Sequence, residues 1–233
     1  MSALDEEGVN CLSDLPWWSD VLRYMSVAQS IGCGSYDYWR LWRTVRRLRP
    51  RHVLECGTGI STVVIAHGLR YNTQQGYPGH LTTMEEHPAY YAEHETLFPP
   101  ALRPFVTALL CPRVDGVLAC FRGTRYQSVP DQPYTFVFVD GPDCGAVSDG
   151  ALVPNLDLFD VIARSETPVF GLIDYRLTTV FAAQTLLPSD RVRFDAAAGL
   201  TDIGPCTAAD LQPQTLKGLA NANGPSTGRV VLR

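Results

Sequence analysis

The chain lacks the sequence features of a membrane protein and of a disulfide-stabilised secreted protein. Its 233 residues contain no apolar run of about 18 residues, the length that a transmembrane helix requires. The seven cysteines are odd in number and include no C-x-x-C pair, which argues against a disulfide framework and a zinc site. The amino terminus is acidic and has no basic or apolar segment typical of a signal peptide. We therefore expect a cytoplasmic protein that does not contact membranes.

Lysine is almost absent, since Lys217 is the only one, and the net charge is −5. This modest negative charge argues against a general affinity for nucleic acid. One cationic segment stands out, because six arginines occur within the twelve residues 40–51: Arg40, Arg43, Arg46, Arg47, Arg49 and Arg51. At helical spacing, Arg40, Arg43 and Arg47 share one face. We expect a solvated helix face here, and a site for phosphate, carboxylate or RNA backbone is the alternative.

A glycine-rich turn follows the first apolar strand pattern, in the segment 52–62 with the sequence HVLECGTGIST. Glu55 stands at the carboxyl end of this strand. Gly57 and Gly59 allow a tight turn whose backbone a ligand can approach closely. Ser61 or Thr62 is predicted to cap the helix that follows. Because Thr62 replaces the third glycine of G-x-G-x-x-G and no lysine ends the turn, the dinucleotide and P-loop patterns fit poorly.

Three further segments show an apolar strand that ends in an acid. The segment 79–84 is followed by Glu85 and Glu86, and the continuous apolar run 136–139 is followed by Asp140. The segment 168–176 contains a fourth strand pattern, which ends at Asp174. Ligands of doubly wound sheets bind outside the carboxyl ends of the strands. Four acids at these ends therefore indicate one polar crevice, because buried unpaired carboxylates are costly.

These motifs together resemble the class I S-adenosylmethionine-dependent methyltransferases. The E-x-G-x-G-x-S pattern of the turn is similar to motif I of that family, and TTMEEHPAYY is similar to its second motif. The closest likeness is to a bacterial group with E-x-G-x-G-x-S-T and V-D-G-P motifs, over about residues 35–176. The resemblance implies an α/β, doubly wound, Rossmann-like sheet that is mostly parallel, with an antiparallel last strand and an N-terminal helical extension.

The chain is predicted to form a single methyltransferase domain over residues 1–233. We expect a helical N-terminal cap over 1–50 and the Rossmann-like core over 51–233. Residues 191–194 and 228–232 are the predicted late strands, with a turn over 221–228. In the resembled family the segment before motif I often covers the acceptor site, and the first candidates for acceptor contact are Tyr36, Tyr38 and Trp39.

The resemblance implies that the turn and the acids bind S-adenosylmethionine. In the family the acid and the glycine turn hold the methionyl end of the cofactor. The second motif places Glu85 on the ribose, with Glu86 as the alternative if the register slips by one residue. The implied cofactor-binding residues are Glu55, Gly57, Thr58, Gly59, Ser61, Glu85, Glu86 and Asp140. A tight turn without a ligand, and solvated carboxylates at a helix start, are the alternatives.

Methyl transfer to a hydroxyl requires a group that takes the proton, either a base or a metal that lowers the hydroxyl's pKa. The candidate catalytic residues are Asp140, Asp174 and Arg176, with Asp140 as the best-placed base. The two aspartates also resemble the acids that bind Mg²⁺ in the metal-dependent branch of O-methyltransferases. Tyr175 stands where that branch typically has asparagine, so the metal ligands stay open. His87 and His94 are other possible bases.

The predicted function is O-methylation of a small-molecule or sugar-like acceptor by S-adenosylmethionine, with S-adenosylhomocysteine as the product. No N-P-P-Y-type tetrapeptide follows the third strand pattern, which argues against amino groups and nucleic-acid bases as acceptors. The alternatives are a non-catalytic binding module of the same fold and a nicotinamide-dependent oxidoreductase. The acceptor and the oligomeric state stay open at this point.

Overall fold

The computed structural model describes residues 2–29 and 32–211 of the chain. Its helices are α1 (Ala3–Ser13), α2 (Trp18–Met25), α3 (Ser35–Leu48), α4 (Ile60–Gln74), α5 (Pro88–Leu97), α6 (Asp157–Arg164) and α7 (Leu177–Leu186). Its strands are β1 (His52–Cys56), β2 (His80–Glu85), β3 (Val106–Leu110), β4 (Arg113–Leu118), β5 (Phe121–Tyr126), β6 (Phe136–Val139), β7 (Val169–Asp174), β8 (Val192–Asp195) and β9 (Leu200–Cys206).

Seven strands form one sheet in the order β3-β2-β1-β6-β7-β9-β8. The first five are parallel to one another, whereas β9 runs antiparallel to both β7 and β8. The last strand in the described chain is therefore antiparallel, as the resemblance implied. β4 and β5 form a separate antiparallel hairpin between β3 and β6.

The sheet is covered by helices on both faces, because its central strands are apolar on both sides. Val53 and Phe136 point into a core shared with α3 and α4, whereas their neighbours Leu54 and Val137 point into a core shared with α6 and α7. This alternation explains the continuous apolar runs in the sequence. The doubly wound α/β architecture is thus confirmed.

The N-terminal helices pack over α4 and lead the chain across the carboxyl edge of the sheet. α1 packs against α3, and α3 packs against α4. Between α2 and α3 the backbone NH of Gln29 donates to the Glu93 carboxylate on α5, at 3.0 and 3.1 Å. Cys33, just before α3, places its sulfur beside Asp174. The predicted N-terminal helical extension is present, and its α2–α3 connection lies above the crevice.

The strands with a clear apolar pattern were predicted near their observed positions, including β8. Four strands had no counterpart in the prediction: β3, β4, β5 and β9. β3 contains only half-buried and exposed residues at an edge, and the β4–β5 hairpin contains no continuous apolar run. The predicted strand 228–232 and turn 221–228 lie outside the described residues. No helix in the described part of the chain combines the length and apolar character that a membrane span requires.

Candidate active site at the carboxyl edge of the sheet

The predicted acids meet at one edge because β2, β1, β6 and β7 are parallel neighbours. Glu85 and Asp174 are the last residues of β2 and β7, Glu55 is the penultimate residue of β1, and Asp140 directly follows β6. The negative charge of Asp140 contributes to the raised pKa of Glu55, which shows that the two carboxyls share one electrostatic environment.

The glycine turn after β1 is packed directly against the loop after β6. Gly57 has a φ of +102°, a conformation that favours glycine, and a Cβ at this position would lie 3.2 Å from the backbone nitrogen of Gly141. A Cβ on Gly141 would in turn lie 2.7 Å from the backbone nitrogen of Gly57. Neither loop therefore has room for a side chain at the point of contact.

The prediction that Ser61 or Thr62 caps the following helix is wrong, because α4 begins at Ile60 and its N-cap is Gly59. Thr62 lies inside the first turn, where its hydroxyl accepts from the backbone NH of Gly59 at 2.9 Å and donates to Glu55 Oε2 at 2.7 Å. A threonine in the third helical position thus ties the turn to the acid of β1.

Glu55 is fully buried below the turn, and its Oε1 has no hydrogen-bond partner among the described residues. Burial raises its pKa to about 7, although the hydroxyls of Ser61 and Thr62 oppose the shift. A buried carboxylate oxygen without a donor is costly. It is an acceptor that a ligand's ammonium or NH group would satisfy.

Glu85 lies at the glycine turn, whereas Glu86 points to the other side of the crevice. Glu85 Oε2 accepts from the backbone NH and the hydroxyl of Thr58, at 3.2 and 2.8 Å, and its Oε1 accepts from the NH of His87 at 2.8 Å. A carboxylate has about four lone-pair sites, so Oε1 keeps one for a ligand hydroxyl. Glu86 instead accepts from the Asp143 NH at 2.7 Å and from the Tyr126 hydroxyl at 3.2 Å.

The carboxyl groups of Asp140 and Asp174 lie close together with the thiol of Cys33 beside both, and each residue places one ligand atom within 4.8 Å of the other two. The Cys33 sulfur lies 3.6 Å from Asp140 Oδ2 and 3.3 Å from Asp174 Oδ2. Burial raises the pKa of Asp140 to about 6, and the charge of Asp174 adds to this shift. Burial and both aspartates raise the pKa of the Cys33 thiol well above its ordinary value. Both carboxyls therefore take up protons at a higher pH than an ordinary aspartate.

Arg176 holds the loop after β6 in place by donating to backbone carbonyl oxygens of that loop. Its guanidinium donates to the carbonyl oxygen of Asp140 and, at 2.5 Å, to that of Pro142. Its positive charge lowers the pKa of both aspartates, against the effect of burial. The sequence analysis named Arg176 as a candidate catalytic residue. In the structure its guanidinium holds backbone carbonyls.

Sequence reasoning missed Cys33 and Tyr24. Tyr24 lies on α2, where the charges of Glu93, Glu55 and Glu85 contribute to its raised pKa after burial. It therefore covers the crevice from the N-terminal side. No local sequence signal marks either residue, since Cys33 is 107 residues from Asp140 and 141 from Asp174.

The other predicted side chains have different positions. Tyr38 is a core residue whose hydroxyl accepts from the backbone NH of Cys33 at 2.8 Å, so it positions Cys33. Trp39 stacks on Trp42 at 5.4 Å, and Tyr36 lines a separate cavity on α3. The expectation that these three aromatics contact the acceptor finds no support in this placement.

Both candidate histidine bases lie on or beside α5. His94 is buried there, and burial lowers its pKa to about 4. His87 is half exposed at the start of the helix and lies 3.6 Å from Glu86 Oε1. Neither histidine contacts the Asp140–Asp174 pair in the described structure.

The donors around the two aspartates do not suit Mg²⁺. Cys33, Asp140 and Asp174 can bring three ligand atoms within 4.8 Å of one another, but one of them is sulfur. Mg²⁺ prefers an all-oxygen octahedral shell. Tyr175, next to Asp174, is 73% exposed and adds no carboxamide oxygen. We therefore do not assign Mg²⁺ to this site.

The residues at the turn do suit the cofactor that the sequence resemblance implied. The orphaned Oε1 of Glu55 would accept from an ammonium group, and the free lone pair of Glu85 would accept from a ribose hydroxyl. The two acids beside the turn thus provide acceptors for the amino group and for the ribose of S-adenosylmethionine.

Comparison with known proteins finds fold similarities only. No protein-family profile matches the chain, and no curated protein matches it. The O-methyltransferase from Bacillus cereus in complex with SAH is 16% identical, with 74% of this chain and 72% of that chain covered and a TM-score of 0.49. Cofactor-bound Rv0187 from MTB is 16% identical, with 83% and 78% covered and a TM-score of 0.48.

SAH-bound methyltransferase PaMTH1 from Podospora anserina is 15% identical to the chain, with a TM-score of 0.43. The alignment covers 78% of this chain but only 64% of that protein, so the chain spans less than two thirds of its length. Because sequence identities this low show the fold alone, a proposed function has to rest on the geometry of the site.

Proposed function

We propose that the chain is an S-adenosylmethionine-dependent methyltransferase that acts on a hydroxyl of a small-molecule or sugar-like acceptor. The observation that carries the proposal is the arrangement of the glycine turn between two buried acids. Glu55 offers an oxygen without a donor, and Glu85 accepts from Thr58 of the same turn. This arrangement matches the E-x-G-x-G-x-S motif that first indicated the family.

In the proposed complex, the residues of the turn bind the cofactor. Glu55 accepts from the amino group at the methionyl end, and Gly57, Thr58 and Gly59 supply the closely approaching backbone. Glu85 accepts from the ribose, and Ser61 helps to hold Glu55 in place. Glu86 stabilises the loop at Asp143 instead of binding the ribose.

The Asp140–Asp174 pair takes the acceptor's proton. Asp140 is the base, because burial and the neighbouring charge of Asp174 raise its pKa above that of an ordinary aspartate. A base with a pKa of about 6 is well matched to proton transfer near neutral pH. Arg176 lowers the pKa of both members and keeps the pair partly ionised.

When bound, S-adenosylmethionine supplies a sulfonium methyl group, whose bond to sulfur breaks as a bond to the acceptor oxygen forms. The hydroxyl proton goes to the aspartate pair, and S-adenosylhomocysteine is left as the product. Most of the rate enhancement in such a displacement comes from aligning the two reactants. Tyr24 on α2 and Cys33 just before α3 cover the crevice and are positioned to exclude water.

The test is the release of S-adenosylhomocysteine when the protein is incubated with S-adenosylmethionine and phenolic, sugar or amine acceptors in turn. The proposal expects a methylated hydroxyl product that Asp140→Asn reduces strongly. Methylated amines alone would contradict the oxygen preference. Cofactor binding without turnover on any acceptor would instead favour the non-catalytic module of the same fold.

A further inference from the structure

A cavity of about 520 Å³ lies on α3, away from the crevice, and is lined mainly by arginine. Four of its guanidinium groups come from α3 and one from β8, against a single carboxylate: Arg40, Arg43, Arg46, Arg47, Arg193 and Asp202. The chain as a whole carries a net charge of −5, so this concentration of positive charge runs against its overall balance.

Only part of this positive charge is neutralised within the protein. Arg40 pairs with Asp202 at 2.9 Å and with Asp195 at 3.5 Å, and Arg193 pairs with Asp202 at 2.7 Å. Arg43, Arg46 and Arg47 form no ion pair in residues 2–29 and 32–211. Three like charges therefore line one cavity without a counter-ion from the described chain.

Aromatic rings hold two of these arginines in place. The Arg46 guanidinium lies 4.5 Å from the centroid of Trp42 and 3.9 Å from that of Tyr71, and Arg43 lies 5.5 Å from that of Trp39. Stacking fixes the plane of a guanidinium while leaving its charge uncancelled and its in-plane NH groups available. An ion pair would also fix the guanidinium, but its carboxylate would neutralise the positive charge.

We propose that this cavity is a binding site for a small molecule that carries two or more phosphate groups. Several guanidinium groups around one space match the bidentate geometry of phosphate oxygens. The cavity volume falls within the range of small-molecule pockets, and the arginines surround a concavity instead of following an extended track as a nucleic-acid backbone requires.

The cavity shares no lining residue with the proposed methyl-transfer site. α3 begins beside Cys33 at the crevice, and although Tyr36 in its first turn lines the cavity, Arg43 lies ~12 Å further along the helix axis than Ser35, at ~1.5 Å per residue. Asp202, on β9, pairs with Leu172 in the middle of β7, away from the carboxyl edge. A ligand in the cavity therefore does not need to occupy the cofactor crevice.

The test is calorimetric titration with inorganic tripolyphosphate at constant ionic strength, with sulfate as the monomeric anion. We expect saturable binding of tripolyphosphate. In the double variant Arg43→Ala/Arg47→Ala the affinity should be at least about tenfold lower, because each substitution removes charge-assisted hydrogen bonds. Both side chains are exposed, so the fold should persist, and thermal unfolding checks this. Arg164→Ala is the matched control, because this exposed arginine lies on α6 at the other face of the sheet.

Absence of saturable binding, or equal affinity in the double variant, would overturn the proposal. So would tighter binding of a single-stranded oligonucleotide than of tripolyphosphate at equal phosphate concentration, because that outcome indicates a nucleic-acid surface. ATP, titrated in parallel, shows whether the site recognises an inorganic polyphosphate or the triphosphate of a nucleotide. Equal affinities indicate recognition of the polyphosphate alone, and tighter ATP binding indicates that the nucleoside is recognised as well.

Discussion

Asp140 and Asp174, at the ends of two neighbouring parallel strands, each bring a carboxylate oxygen within 4.8 Å of the other. The Cys33 thiol lies within 3.6 Å of both, and the charge of Asp174 adds to burial in raising the pKa of Asp140. The pair is therefore suited to accept a proton at a pH close to neutral.

Asp140→Asn should slow turnover by about a hundredfold or more, the usual contribution of general base catalysis, and leave cofactor affinity nearly unchanged. Steady-state kinetics and cofactor titration on the same preparation separate the two effects. Asp143→Asn is the matched control, because Asp143 is a half-exposed acid on the same loop that pairs with Arg113. Unchanged turnover in Asp140→Asn would remove this residue as the base.

The pH profile of turnover should have an acid limb at about pH 6. Burial raises the pKa of Asp140 to about 6, so lowering the pH through this value protonates Asp140 and removes the base. Turnover should therefore fall below this pH and level off above it. A profile that is flat from pH 5 to 8 would rule out the aspartate pair.

Cofactor affinity should depend on pH through Glu55. Its pKa is raised to about 7, so it is mostly neutral at pH 6 and mostly ionised at pH 8. An ammonium group binds the ionised form, and affinity should rise by up to about tenfold over this interval. Titrations with S-adenosylhomocysteine at both pH values measure the effect. Glu55→Gln should bind more weakly and show no such dependence, whereas a persistent dependence would place its origin elsewhere.

Gly57→Val should abolish cofactor binding while the fold persists. Valine is strained at a φ of +102°, and its Cβ would press on the backbone of Gly141. The matched control is Gly76→Ala, because Gly76 also has a positive φ of +85° but has nothing within 4 Å of its Cβ position. Circular dichroism checks the fold of both variants. Normal binding by Gly57→Val would show that the turn is not the site.

Glu85→Ala should abolish cofactor binding as well, because it removes a ribose acceptor and frees the donors of Thr58. Glu86→Ala should affect binding far less, since Glu86 holds Tyr126 and Asp143. The same calorimetric titration compares the two variants. The opposite ranking would assign the ribose to Glu86.

Removal of divalent cations should leave turnover unchanged. The donor set at the aspartates includes the Cys33 sulfur and does not provide the oxygen shell that Mg²⁺ prefers. Dialysis against EDTA before the assay tests this. Loss of activity that only Mg²⁺ restores would show that the site binds the metal after all.

The site's acids could be predicted from the sequence because each lies at or next to the carboxyl end of a buried strand. Glu55, Glu85, Asp140 and Asp174 interrupt apolar patterns at the carboxyl ends of parallel strands, and topology alone brings these ends together. Cys33 could not be predicted in this way, since its partners are distant in sequence and the chain segment that positions it has no periodic pattern. Its placement depends on tertiary packing, through the Tyr38 hydroxyl in the core.

The role of the arginine-rich helix was also beyond the sequence. Helical spacing placed Arg40, Arg43 and Arg47 on one face, but a solvated face and an anion site have the same pattern. The distinction depends on which arginines find carboxylates on β8 and β9, and these strands lie about 150 residues away in the chain. Ion pairing and stacking distances favour the anion site that we propose, where periodicity favours neither interpretation.

The measurement that tests the central claim most directly is calorimetric titration of the purified protein with S-adenosylhomocysteine, with NADH as the parallel control. The account predicts saturable binding of S-adenosylhomocysteine and none of NADH. Binding of NADH alone would contradict the account and favour an oxidoreductase, and binding of neither would contradict the assignment of the glycine turn as a cofactor site.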